Sequence, residues 1–224
     1  CGQEIALRSM AWTFGLFAMA RSSHTTPQRV AMLAQMLAVS AERIMGTLDY
    51  ALSQRNNHGI SEAAGLVKIG TLLPEAKRAQ VWRKTGSRAL SALSRELIYE
   101  DGASCQHSWN YHRLMLQCLM WAIRVGEVSQ QPLDTRILKS IRLGGELLHQ
   151  MMDLKSGGVP CYGQNDGSLF LSLNDCGYFV YRPVVQAASV VAGAGRLLPA
   201  GPWDEDLHWL FSGEVPQRRC EEPT

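Results

Sequence analysis

The sequence is short of several things, and each shortage removes a class of function. Its 22 basic against 20 acidic residues leave a net charge of +2 over 224 residues, too little to recruit nucleic acid or a membrane surface by charge. No apolar run reaches the roughly 20 residues of a membrane span; SMAWTFGLFAMA, residues 9–20, is too short. Glu4 and Arg8 precede that run without a basic leader or cleavage site, so the start does not read as a signal peptide. The six cysteines (1, 105, 118, 161, 176 and 220) make no C-x-x-C pair and no zinc-type spacing. Free buried thiols are the expectation for them. No fixed-period repeat is visible, which argues against tetratricopeptide or ankyrin arrays, and no segment reads as a credible sheet.

What is there is helix after helix, in a chain long enough to bury a substantial core. Thr26 and Pro27 supply an N-cap and a first helical position, and Val30, Leu33, Leu37, Ile44 and Leu48 then fall near one face. A second helix, whose composition reads as buried, covers about 58–72 and ends before Pro74. Pro74 opens a third, with Val81, Leu90, Leu93 and Leu97 as its apolar stripe. Helices follow over about 110–126, from a cap at Asp134, over about 183–198, and in PWDEDLHWLFSG. Between Asp153 and Tyr181 the chain turns rich in Gly, Asn, Asp and Ser, with one strand-like SLFLSL. A connection that long inside a helical domain is more often functional than idle. The tail from 213 to 224 reads as frayed. Antiparallel hairpins stacked as a solenoid, toroid or bundle satisfy this pattern.

Two polar clusters stand at helix mouths. In RNNHGISEAAGL, Asn is a good N-cap, but one cap does not account for Asn56, Asn57 and His58 together. A helix N-terminus favours anions, so two amides and an imidazole there suit a carboxylate ligand. Glu62, four residues on, can orient the His58 ring or serve as a buried ion-pair partner. A metal half-site of His58 and Glu62 lacks a third ligand. In CQHSWNYHRLML, Ser108 can cap, Trp109 and Tyr111 can pack, and His112 can be a satisfied surface or core histidine. The same density of Gln106, His107, Ser108, Trp109, Asn110, Tyr111 and His112 also suits a sugar-binding wall. Tyr111 could transfer a proton only with support, given its reference pKa of about 10. The loop GQNDGSLFLSLNDCGYF could close over a ligand, or be a surface excursion with Asx turns; it has no EF-hand spacing.

NNHGISEAAGL, DGASCQHSWNYHRLML, NDGSLF, YRPVVQAA and GPWDEDLHWLF, in that order over residues 40 to 212, resemble the helical domain of heparinase II/III-like polysaccharide lyases. The resemblance implies an all-α fold, an incomplete (α/α) toroid of antiparallel hairpins with one long irregular loop, spanning 1–212. It implies β-elimination of uronic-acid glycans such as heparan sulfate or alginate. Asn57 and His58 would neutralise the uronate carboxylate, and Tyr111 would take the C5 proton, protonate the C4 leaving oxygen, or both. Asn56, Glu62, Gln106, Ser108, Trp109, His112, Asn165, Asp166 and Arg182 would contact substrate. Gln106 stands where the family often carries Glu, and His107 is unusual there. The family's β-sandwich domain, with its own active-site histidine, is expected to be missing from this chain. No cofactor is expected in the chain, and any metal would belong to that β domain. The partner is an acidic polysaccharide, with no nucleic acid and no membrane, and a periplasmic or secreted location is favoured. The competing expectation is a non-catalytic carbohydrate-binding or scaffolding domain. A glycoside hydrolase needs two opposed carboxylates, and Glu62 with Asp166 or Asp175 makes a poor pair.

Overall fold

The computed structural model describes residues 1–170 and 172–212. In chain order the helices are α1 (Gly2–Ala18), α2 (Pro27–Met45), α3 (Leu48–Ser53), α4 (Asn57–Leu72), α5 (Ala79–Leu97), α6 (Trp109–Val128), α7 (Arg136–Met151) and α8 (Arg182–Val191). A 3-10 turn (Pro202–Asp204) and α9 (Glu205–Leu210) follow. The all-α class expected from the sequence is what is found. Among the described residues the one β feature is an isolated antiparallel bridge between Ile98 and Ser104. SLFLSL is therefore irregular where it is described, and its Phe170 packs edge-on to Trp121 at 6.3 Å. No described helix is long and apolar enough to cross a membrane. The tail expected to fray at 213–224, with Cys220, lies outside the described residues.

The chain divides into two compact units. The first comprises Cys1–Leu93 and Val125–Pro132. Its axis is α4, on which every residue from Asn57 to Gly70 is buried except His58. A helix buried on every side needs neighbours all round, and α1, α2 and α3 all pack on it. Ala6, Leu37, Ala41, Ile44, Leu48, Leu66, Ile69, Ala79 and Trp82 form its core. Lys68 is enclosed in this unit. Its amine donates to the Ser9 carbonyl, to Thr13 Oγ1 at 2.8 Å and to Ser9 Oγ at 3.3 Å. Burial pushes its pKa well below the ordinary lysine value.

Several sequence expectations shift by a turn. Thr26 does cap α2, accepting from the Arg29 N–H, but Val30 is 38% exposed and outside the stripe. The helix expected to run on through Leu48 breaks at Gly46–Thr47, where the Thr47 hydroxyl bonds back to the Arg43 and Ile44 carbonyls. Pro74 opens a turn, and α5 begins at Ala79. Its stripe starts at Trp82, buried and bonded through Nε1 to Glu42 Oε1 at 2.9 Å, while Val81 is 45% exposed. Trp82, Gly86, Leu90, Leu93 and Leu97 share the helical period that Val81 misses by one residue.

The second unit comprises Ser94–Arg124 and the described residues from Leu133 onward. Here α7 packs on α8 so closely that a Cβ on Gly145 would lie 2.6 Å from the Ala188 Cβ. At the start of α7, Asp134 accepts the Arg136 N–H at 2.9 Å, one residue before the helical boundary at Thr135. α8 stops at Val191 rather than near Leu198. The reason is Gln186, fully buried, whose Oε1 accepts the N–H groups of Leu197 and Leu198 and whose Nε2 reaches Asp204 Oδ1. Those bonds fold residues 192–200 back over α8 and exclude a straight helix. No disulfide joins the five described cysteines; Cys118 is buried as expected, whereas Cys1 and Cys161 are exposed.

Candidate functional site

In the first unit, Asn56 is the N-cap of α4: its backbone is extended and its side chain accepts the His58 N–H at 2.9 Å. Capping therefore accounts for Asn56 but not for its neighbours. Asn57 is the first helical residue and is buried, with its carbonyl receiving the Ser61 hydroxyl at 2.9 Å. His58 is half-exposed at the positive end of α4, and burial lowers its pKa, which favours the neutral imidazole.

Glu62 does not serve the mouth. It is 2% exposed and turned toward the start of α1, where a Cβ on Gly2 would meet its carboxylate at 2.4 Å. Burial raises its pKa to about 7, against the Gln3 backbone N–H and the Thr47 hydroxyl, and its Oε2 has no hydrogen-bond partner. A carboxyl turned toward α1 faces away from the His58 ring it was expected to orient.

In the second unit the mouth of α6 is roofed by the loop from Tyr162 to Ser168. The Trp109 N–H donates to the Tyr162 carbonyl at 3.3 Å, and Ser108 donates from Oγ to the Gln164 carbonyl. Ser108 Oγ also accepts the Tyr111 N–H at 3.2 Å, so it is a cap and is spent on structure. Trp109 packs on Tyr162 with ring centres 5.6 Å apart, and on His112 at 5.9 Å. Gln106 is half-buried, its N–H donating to Ser104 Oγ at 3.3 Å.

His112 is an interior residue, 1% exposed, with Nε2 against the Gly144 carbonyl at 3.1 Å and no partner for Nδ1. The core alternative holds for it, and it is not available to substrate. Burial lowers its pKa to about 4. In the unfolded chain it takes up a proton near pH 6.5, so its contribution to stability is complete above that pH and is lost as pH falls toward 4. The loss amounts to roughly 3 kcal/mol for a shift of this size. We expect His112→Gln to flatten the stability profile between those limits in urea titrations; an unchanged acid slope would show that another group carries it.

Tyr111 is half-buried one turn into α6, and its hydroxyl donates to Asp166 Oδ2 at 3.1 Å. Asp166 Oδ1 accepts from Asn110 Nδ2 at 2.9 Å, the Ser168 N–H at 3.0 Å and Ser168 Oγ at 2.6 Å. The Ser168 hydroxyl leads the causes that lower the Asp166 pKa, while burial and the adjacent carboxylate raise that of Tyr111. The pair at rest is thus a phenol and a carboxylate. Asn165 is exposed and accepts from the Gly167 N–H, and its Oδ1 lies beside the Tyr178 hydroxyl. Arg182 is committed elsewhere: its guanidinium donates to the carbonyls of Leu154, Lys155 and Ser156 and lies 5.0 Å over the Trp203 ring, tying down the loop.

Two residues of this network escape a sequence reading. Tyr178 donates to Asn110 Oδ1 at 2.6 Å. Arg113, 2% exposed, stacks on Tyr178 and Tyr181 at 4.4 and 4.6 Å and donates to Asn110 Oδ1 and the Tyr178 carbonyl. The only local signal was the spacing of three between Asn110 and Arg113, which puts both on one face of α6. Among the described residues no three His, Cys, Asp or Glu side chains converge to hold a metal ion.

Residues 4–135 match the family described as Heparinase II/III N-terminus, and both helix mouths lie within that match. A heparin-sulfate lyase of Bacteroides thetaiotaomicron is 33% identical over 98 residues, 44% of this chain and 14% of that protein. One from Bacteroides stercoris is 29% identical over 93 residues, 37% of this chain and 14% of that protein. The crystal structure of Heparinase III shares the toroid-type fold with a TM-score of 0.64 at 21% identity, over 89% of this chain and 32% of that one. The match thus spans a small part of the curated relatives. With more than half its residues in the family match, this chain belongs to the heparinase II/III family.

Proposed function

We propose that the protein carrying this chain cleaves uronic-acid glycans by β-elimination. The C5 proton of a uronate becomes removable once the adjacent carboxylate is neutralised, because the developing charge spreads onto that group. Asn57 and His58 supply this neutralisation: an amide and an imidazole in the first turn of α4, where the helix N–H groups and dipole add positive potential. Tyr111 supplies a proton. Because its hydroxyl donates to an ionised Asp166, it enters the reaction as a phenol and protonates the C4 oxygen as the C4–O bond breaks, while the neutral His58 imidazole takes the C5 proton and the C5–H bonding pair becomes the C4–C5 double bond.

The observation that carries the reading is the family match over 4–135, which takes in the N-N-H and S-x-N-Y-H segments together. The test uses the full-length protein with heparan sulfate, alginate and other uronate glycans, following the ultraviolet absorbance of the unsaturated product. Asn57→Ala is expected to lower kcat by about 10²-fold, as loss of one charge-stabilising donor does elsewhere. Binding of oligouronates with no product from any glycan would instead support a carbohydrate-binding domain without catalysis.

A further inference from the structure

We propose that Asp166 is the positioning residue of Tyr111, aiming its phenol from a carboxylate that the loop and α6 hold from the opposite side. The inference rests on the lyase reading for what Tyr111 does, but the pair itself rests on geometry alone.

The carboxylate can only accept, so Tyr111 must donate. Its other oxygen is saturated by three donors from Asn110 and Ser168, which fixes its orientation and leaves Oδ2 for the phenol. Asn110 is fixed in turn. Its Oδ1 faces the Arg113 guanidinium, which can only donate, so its Nδ2 must face Asp166. Arg113 is itself buried between two tyrosine rings. The result is a chain of oriented groups, Arg113 to Asn110 to Asp166 to Tyr111, running from the interior of the unit to the mouth of α6.

A direct role for Asp166 in gripping substrate fits poorly. An ionised carboxylate repels a polyuronate, and both of its oxygens are already engaged. Next to the phenol, the same charge opposes formation of tyrosinate and keeps the acid form loaded at neutral pH.

Asp166→Asn in the full-length protein tests this. The substitution removes the charge and can present an amide N–H to the phenol oxygen. Tyrosinate absorbance is titrated in wild type, Asp166→Asn and both of their Tyr111→Phe derivatives, so subtraction isolates Tyr111. We expect its midpoint to fall by roughly one pH unit or more in Asp166→Asn, and the alkaline limb of the kcat profile to move down with it. An unmoved midpoint and limb, whatever the activity, would reduce Asp166 to loop structure and overturn the proposal. If Asp166→Asn does not fold, the same subtraction in Asp166→Ala decides: an unmoved midpoint overturns the proposal and a lowered one supports it. A shifted midpoint in a protein that makes no unsaturated product would sink the lyase reading and leave the pair standing.

Discussion

Tyr111→Phe in the full-length protein is expected to lower kcat for unsaturated product by on the order of 10³-fold, with oligouronate affinity nearly unchanged. The size follows from what the hydroxyl does. It is the single group lost, and it donates to Asp166, an exposed loop residue whose other three donors remain. The ring keeps its place on α6, because Ser108 still caps the helix through the Tyr111 backbone N–H. A large fall in kcat with constant KM would mean the phenol acts in the transition state alone. Equal losses in kcat/KM and in binding would make it a substrate grip. Unchanged turnover would remove Tyr111 from the mechanism and with it the proton-transfer half of the proposal.

How much of this was legible in the sequence depends on the distance over which each feature is determined. The starts of α2, α4 and α6 were readable because their caps, Thr26, Asn56 and Ser108, act on N–H groups two or three residues away. The burial of α4 was readable from its composition. Val30 and Val81 were misplaced because apolar character alone does not say which face a neighbour covers; Glu42, reaching α5 through Trp82, decides that for the second. Glu62 sits at the right spacing to meet His58, yet it packs toward α1, some 60 residues earlier in the chain (62 − 2 = 60). Pairing of Tyr111 with Asp166 spans 55 residues, and nothing local in either segment announces it. The end of α8 depends on one side chain, Gln186, finding backbone partners 11 and 12 residues ahead. Short-range chemistry was visible, and the network that loads the phenol was not.

The loop that carries Asp166 should be separable from the helices by one methyl group. Gly163 has φ +73°, and a Cβ there would meet the His107 carbonyl oxygen at 1.9 Å and the Ser108 Cα at 2.8 Å. Neither atom can yield, since both belong to the backbone that enters α6. Gly163→Ala must therefore lift the loop, breaking the bonds from Trp109 to Tyr162, from Ser108 to Gln164 and from Tyr111 to Asp166. Gly167 is the control. Its φ is +81°, but its Cβ would meet nothing within 4 Å, so Gly167→Ala bears only the left-handed conformational cost of about 1 kcal/mol. For Gly163→Ala we expect at least about 2 kcal/mol, a fall in Tm of roughly 4–8 °C for a chain of this size. Far-ultraviolet dichroism should be preserved, because the loop contributes no helix. Amide exchange should quicken at residues 162–168, and lyase turnover should fall toward that of Asp166→Asn. Should the two alanine variants behave alike in exchange and in turnover, close seating of the loop on α6 would not be what readies Tyr111.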